Sequence, residues 1–516
     1  MTSIEQKVGR LMFVGFEGHE APDYILEWLR EGRIGGVYLF SRNVDTPKQV
    51  AALTRSLHAA ALQPILIGID QEGGIVARFH DGFTESPGAM ALAASRDKKL
   101  ARRMAQVLGA EMRALGINWV FAPVVDIVQN ITNGSVGTRS LGADKNFVSE
   151  YAVAQIEGFQ DFVAATAKHF PGLGKSSIDT HYALATIDDS LEYILENDMI
   201  PFKQAIEAGV ETIMTTHTMF TALDSEHPAT LSPVIIKRLL REELGFNGLV
   251  STDCLEMRAI TDHYGPAESA ILSVLAGIDT VMFSHTKERQ EAAYNAVVDA
   301  VHSGRIPESL LDEAIARIDT VTEHYAIQND YAVEIVNSDT HVAIARDAAR
   351  QGMVSIKSDP SLIPLAGDDS QKIAVVEFAF HRDTEAIERG GLTSFITRLQ
   401  RRIPGVKSVA LRFRDAHGMM EDRARQIARE SDILILATRS THINPIHYEM
   451  AIRVCAEAKK VILVCLRNPY DADVFPDAEV IFCTCGDSSP SLQAAVDALM
   501  GDFVPSGELS VPLGIR

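Results

Sequence analysis

Residues 164–181 read Ala-Ala-Thr-Ala-Lys-His-Phe-Pro-Gly-Leu-Gly-Lys-Ser-Ser-Ile-Asp-Thr-His. A short run of small and apolar residues ends in Lys168 and His169, and a loop rich in glycine and serine follows. A strand buried on both faces reads this way when it delivers polar groups at its C-terminal end. The same pattern recurs on either side. Apolar runs at 11–15, 36–40, 65–70, 119–123, 164–170, 212–217, 249–253 and 280–283 predict eight strands. Stretches such as 99–115, 147–159 and 267–276 carry apolar positions three and four apart and predict helices between them. Eight strands alternating with helices predict an α/β fold that opens with a (β/α)8, TIM-like barrel.

The pattern changes after Val301. Residues 310–325 predict a closing helix, and 326–340 are polar enough to form a linker. A second series of apolar runs at 372–378, 408–413, 433–438, 461–466 and 480–483 predicts an open, mostly parallel sheet covered by helices. The expected domains are therefore 1–325 and 341–516. No Gly-x-Gly-x-x-Gly follows the first strand of the second series, so a dinucleotide site has no support.

Composition narrows the function. The 516 residues are 46% hydrophobic and 23% charged, as in an ordinary globular protein. With 48 Lys and Arg against 69 Asp and Glu, the formal charge is −21. That balance argues against a nucleic-acid partner, which needs a basic stripe to displace phosphate counterions. No run of 18 apolar residues marks a membrane span. The opening MTSIEQKVGRLMFVGF lacks the ordered parts of a secretion signal, so a soluble cytoplasmic protein is expected. Cys254, Cys455, Cys465, Cys483 and Cys485 are too few and too clustered for a disulfide framework.

Barrel enzymes do their chemistry at the C-terminal ends of the strands. Here strand three ends in Asp70 and runs into DQEGGIVARF, which carries Arg78. Strand four runs into APVVD, with Arg139 in the loop GTRS beyond. Strand five ends in Lys168-His169, strand six in His217 and strand seven in Asp253. Asp179 and His181 are two apart, so in an extended segment their side chains leave on one side. A carboxylate there can take the Nδ1 proton, fix the tautomer and favour the protonated ring, which makes a general acid–base group. Spacing alone gives equal weight to another reading, in which Asp179 caps a helix and His181 is a surface residue. Asp253 ends an apolar strand, where Lys168, Arg78 and Arg139 could hold it ionised and donate to hydroxyl groups. One ionised carboxylate, one acid–base group and a ring of donors suit glycoside cleavage.

The stretches DQEGG (70–74), LGINWVFAPVVDI (115–127), GTRS (137–140), KHFPG (168–172), Asp179-Thr180-His181, PATLS (228–232), LGFNG (244–248) and STDCLEM (251–257) resemble glycoside hydrolase family 3, in its bacterial β-N-acetylglucosaminidase branch. They span the whole expected barrel in the family's order. The second domain resembles the family's α/β sandwich domain, closing on PSGELSVPL. By this resemblance Asp253 is the nucleophile, His181 the acid–base residue and Asp179 its orienting partner. Asp70, Arg78, Arg139, Lys168 and His169 match the residues that hold the sugar, and His217 is grouped with them as substrate-binding. The resemblance implies no metal and no cofactor. The implied substrate is a terminal β-linked N-acetylglucosamine, as in peptidoglycan fragments (and so peptidoglycan recycling) or chito-oligosaccharides. It is released with retention by double displacement.

Three positions depart from the family pattern. Ile75 stands where arginine is common, Leu173 where a histidine is common, and Cys254 where aspartate or alanine is commoner. Other readings lie beside this one. Phosphate could replace water as acceptor, since an imidazole does not repel it as a carboxylate would, and Lys175 in the loop adds a positive charge. A metal hydrolase could use His169, His181, His217 and Asp253. A Schiff-base aldolase could use Lys168. A sugar-binding protein could keep the site without turnover.

Overall fold

The computed structural model describes residues 3–176, 178–327, 331–366, 371–379, 382, 384–388 and 394–514. Each of the eight expected N-terminal strands is present, within its expected run. They are β1 (Met12–Val14), β2 (Gly36–Leu39), β3 (Leu66–Ile69), β4 (Trp119–Val120), β5 (Thr166–Phe170), β6 (Thr212–Thr215), β7 (Leu249–Ser251) and β8 (Val281–Phe283). All pair in parallel, in the orders β8-β1-β2-β3-β4 and β5-β6-β7. Parallel bridges, Trp119 to Ala164 and Val124 to Lys168 at one join and Ser251 to Thr280 at the other, connect the two groups.

The strands are shorter than their apolar runs. Asp70, His217 and Asp253 lie one or two residues past the last ladder residue of their strands, where their side chains leave the sheet. A second, shorter parallel ladder, Ala185–Ile187 on Thr218–Phe220, lies beyond β5 and β6 and was not expected.

Helices alternate with the strands. Helix α1 (Lys98–Ala114) starts at Asp97, whose carboxylate accepts from Lys99 N and Leu100 N. Helix α2 (Lys145–Gln160) starts in the same way at Asp144. Between the strands, Trp119 Nε1 donates to the hydroxyls of Thr166 and Thr212, both at 3.0 Å, so the one polar atom of a fully buried indole is satisfied. The closing helix α3 spans Glu308–His324.

In the expected linker, residues 328–330 lie outside the described residues. Tyr331, Val333 and Val336 pack on the first core. Helix α4 (Asp339–Gln351) follows and is shared, with Ala345 and Ala348 in the first core and Ala349 in a second.

The C-terminal sheet contains β9 (Val354–Lys357), β10 (Ile373–Phe378), β11 (Lys407–Leu411), β12 (Ile433–Thr438), β13 (Val461–Cys465) and β14 (Val480–Cys483). Its order is β9-β14-β13-β12-β10-β11, parallel throughout except for β9. The edge strand β9 was not expected, because only its first residue is buried and its sequence, VSIK, is half polar. Successive residues of the inner strands point into different cores: Ala374 and Val376 to one, Ile373 and Val375 to the other. Strand order reverses between β10 and β12, the place where doubly wound sheets open a crevice at their carboxyl ends. Here those ends face the N-terminal part. The His442 ring beyond β12 lies 3.1 Å from the Ile131 carbonyl, and Asn468 beyond β13 lies against Gly137.

Candidate active site

A cavity of about 390 Å³ opens where β2, β3, β5 and β7 end. The turn after β3 builds its floor. Gly73 and Gly74 both have positive φ, and a Cβ on Gly74 would lie 2.8 Å from the Gly88 backbone, so only glycine makes this turn. The turn brings two carboxylates and Arg78 to one place. Asp70 accepts from Arg78 Nη2 at 2.9 Å, from Lys168 Nζ at 2.7 Å and from the Tyr38 hydroxyl. Glu72 accepts twice from Arg139, at 2.9 and 2.7 Å, and pairs with Lys168 at 2.6 Å. Burial alone would raise the pKa of both carboxyls. The cations outweigh it, Lys168 and Arg78 at Asp70, Arg139 and Lys168 at Glu72, and hold both below the ordinary range. Every member is nearly inaccessible to solvent, so the network is held by mutual charge compensation. Removing one member of such a set costs about 3–5 kcal/mol.

The ring of His169 is fixed from behind. Its Nδ1 lies 2.7 Å from Asp126 Oδ2, and its Nε2 lies 3.3 Å from Arg139 Nη2. Asp126 Oδ1 also accepts from Leu173 N at 2.7 Å, which ties down the start of the loop after β5.

In that loop, Asp179 Oδ1 accepts from both the backbone N–H of His181 (2.9 Å) and its ring Nδ1 (2.6 Å). The carboxylate therefore serves the imidazole, and the helix-cap reading is set aside. Burial acts to lower the pKa of His181, but the Asp179 hydrogen bond and charge, with Asp253 adding, raise it above the usual histidine value. Asp179 moves the other way: burial is outweighed by the hydrogen bond and charge of His181. Asp253, two residues beyond β7, accepts from Cys254 N at 2.7 Å and faces the same cavity.

Of the residues singled out in the sequence, Asp70, Arg78, Arg139, Lys168, His169, Asp179, His181 and Asp253 all line the cavity. His217 does not. It is fully buried behind Asp253, with Nε2 2.9 Å from the Cys254 carbonyl and Nδ1 2.8 Å from the Thr230 hydroxyl. Burial lowers its pKa, and it braces the chain next to Asp253 instead of meeting a ligand. Lys175 also lies away from the cavity, paired with Asp189 at the surface. Lys168 Nζ is held between two carboxylates, unlike an amine poised for a carbonyl carbon.

Four features escaped the sequence reading. Glu72 and Asp126 lie inside the quoted stretches DQEGG and APVVD, and a second carboxylate among three strand-end cations was a signal for each. Tyr38 carried none. Neither did the segment 384–388 beyond β10, whose Glu385, Ala386 and Glu388 line the cavity. The departures also find their places. Ile75 packs on Ile387 of that segment, and Leu173 lines the cavity wall. Burial pushes the Cys254 thiol up to about 12, which makes it a packing group.

Comparison with known proteins agrees with this arrangement. The sequence profile of the glycosyl hydrolase family 3 N-terminal domain matches residues 3–321. A solved glycoside hydrolase family 3 β-N-acetylglucosaminidase from Paenibacillus sp. str. FPU-7 is 33% identical, superposes with a TM-score of 0.94 and covers 100% of both chains. β-Hexosaminidase A of Pseudoalteromonas piscicida is 29% identical over 88% of this chain and 83% of its own length. A β-hexosaminidase of Stenotrophomonas maltophilia (strain K279a) is 34% identical over 55% of this chain, which accounts for 86% of that protein.

Proposed function

Because the chain belongs to glycosyl hydrolase family 3 and is a glycoside hydrolase, we propose that it removes a terminal β-linked N-acetylglucosamine by a retaining, two-step displacement. Asp253 attacks the anomeric carbon and forms a covalent glycosyl ester. His181, protonated at Nε2, gives that proton to the departing glycosidic oxygen, and Asp179 stabilises the charged ring while it waits. In the second step His181 takes a proton from water, whose oxygen attacks the anomeric carbon and displaces the Asp253 carboxylate. Two inversions leave the configuration unchanged. Asp70, Arg78, Arg139, Lys168 and His169 hold the hydroxyl and N-acetyl groups of the sugar.

The observation that carries this reading is the Asp179–His181 pair, facing the same cavity as Asp253. A carboxylate-held imidazole of raised pKa keeps its proton to higher pH than an ordinary histidine and can then donate it. The names of the relatives support an N-acetylhexosamine as the sugar, and peptidoglycan fragments and chito-oligosaccharides are the sources that present it as a terminal β-linked residue. The pairings of β1–β8, with bridges at both joins, support a closed (β/α)8 barrel over residues 1–325, joined by 326–340 to an α/β sandwich at 341–516.

The test combines substrate, stereochemistry and nucleophile. Aryl β-N-acetylglucosaminide should be cleaved well ahead of the matching glucoside and glucosaminide, and the first product seen by NMR should be the β-anomer. Asp253→Ala should abolish turnover in a folded protein, and azide should restore product of inverted configuration. Near wild-type kcat in that variant would refute the nucleophile. A sugar 1-phosphate as main product in millimolar phosphate would make the enzyme a phosphorylase.

A further inference from the structure

Residues 384–388 belong to the C-terminal part, yet nearly every one of them touches the catalytic side of the N-terminal part. Glu385 Oε1 accepts from the Tyr182 hydroxyl at 2.9 Å. The Ala386 carbonyl accepts from Arg78 Nη1 at 2.8 Å. Glu388 accepts from Ser41 N at 2.8 Å and faces Arg78 Nε at 3.4 Å. Between these polar contacts, Ile387 is fully buried against Ile75 and Val76. Five residues thus join the loop after β5, which carries Asp179 and His181, to the turn after β3, which carries Arg78.

We propose that this segment is a strap that sets the position of the acid–base pair, and that Glu385 is a positioning residue acting on His181 through Tyr182. Tyr182 is the next residue after His181, so a hydrogen bond that fixes its hydroxyl fixes the backbone from which the imidazole hangs. The buried Ile387 gives the strap its purchase, and Arg78 and Ser41 hold its far end. Proton transfer in the transition state demands placement within a fraction of an ångström, and a shift of about 1 Å costs up to roughly 10²-fold in rate. Glu385 itself is not the proton donor. Its two oxygens already engage the Tyr182 hydroxyl and, at 3.5 Å, Arg382. A relative that aligns with only 55% of this chain is named a β-hexosaminidase, consistent with a C-terminal strap that refines a proton-transfer site the N-terminal part provides.

This proposal rests on His181 being the acid–base group, and the experiment separates the two. The full-length chain is compared as wild type, Glu385→Ala, Glu385→Gln, Tyr182→Phe, the Glu385→Ala/Tyr182→Phe double variant and His181→Ala. Substrates are an N-acetylglucosaminide with an activated aryl leaving group and N,N′-diacetylchitobiose, whose leaving group needs protonation. Glu385→Ala and Tyr182→Phe should each lose about tenfold in kcat/KM on the disaccharide and little on the aryl glycoside. The double variant should be no worse than either single one, and Glu385→Gln, which keeps an acceptor oxygen, should recover most of the rate. The alkaline limb of the disaccharide profile should move to lower pH in the two single variants. Tyr182→Phe removes one hydroxyl from a half-exposed side chain, so it tests the bond even where Glu385→Ala fails to fold. Equal losses on both substrates, additive losses, or wild-type rates would overturn the strap if His181→Ala still shows the leaving-group dependence. If His181→Ala itself shows none, the acid–base assignment falls and the strap with it.

Discussion

The imidazole of His181 is held at Nδ1 by Asp179, and in the proposed mechanism Nε2 is the atom that exchanges a proton with substrate. Asp179 also keeps the acid form populated above the pH at which an ordinary histidine loses it, against burial, which works the other way. Asp179→Asn removes the charge and leaves burial. The alkaline limb of kcat/KM on a poor leaving group should then move to lower pH, while rates on an activated aryl glycoside change less. An unmoved limb would show that Asp179 does not tune the ring. The sequence reading went far at this scale and stopped at a definite point. Spacing brought Asp179 and His181 to one side of the chain but could not say whether the carboxylate would turn to the ring or to a helix. The same strand-end signal that marked Asp253 and Lys168, which line the cavity, also marked His217, whose ring nitrogens are both occupied inside the protein. Position at the end of a strand shows where the backbone stops, and what the side chain meets depends on neighbours far away in the chain.

At the scale of elements, the loop after β5 rests on Asp198, at the start of the helix Met199–Glu207. Its carboxylate accepts from Gln129 Nε2, and a Cβ on Gly172 would come within 3.1 Å of its own Cβ. Burial, with the charges of Asp189 and Asp126 adding, pushes its pKa up to about 7. A carboxyl raised in the folded state stabilises fully below its unfolded value, near 4, and loses that contribution as pH rises through the folded value. Asp198→Asn stays neutral throughout. Its melting temperature should match wild type near pH 4 and exceed it by about 2 °C or more at pH 8, and a constant difference across that range would refute the assignment. Elements with strong periodicity were legible: all eight N-terminal strands and α1 to α3 lie where the apolar pattern put them. What was not legible lacks a pattern of its own. Strand β9 is an edge that buries one residue, and the ladder at Ala185–Ile187 alternates over three residues only, too few to stand out in the sequence. The strap depends on Ile75 meeting Ile387, a pairing between positions about three hundred residues apart, which only the folded chain reveals.

On the scale of the whole molecule, the carboxyl ends of the C-terminal sheet are turned onto the mouth of the N-terminal part, and the crevice such sheets usually reserve for a ligand is spent on walling another site. The result is a cavity of about 390 Å³, near the lower end of what ligand clefts measure, with Glu385, Ala386 and Glu388 along one side. On the proposed reading, a walled hollow admits an end and refuses a middle. For such an enzyme a polymer is a carrier of termini, and its mass is invisible. Chito-oligosaccharides compared at equal weight should be consumed at rates that fall in proportion to their length, and at equal molarity at rates that barely differ. Products should appear one sugar at a time, and any early fragment from the interior of a long chain would mean that the wall opens. On that reading, the amount of work waiting for this protein is set by how many ends other enzymes have cut.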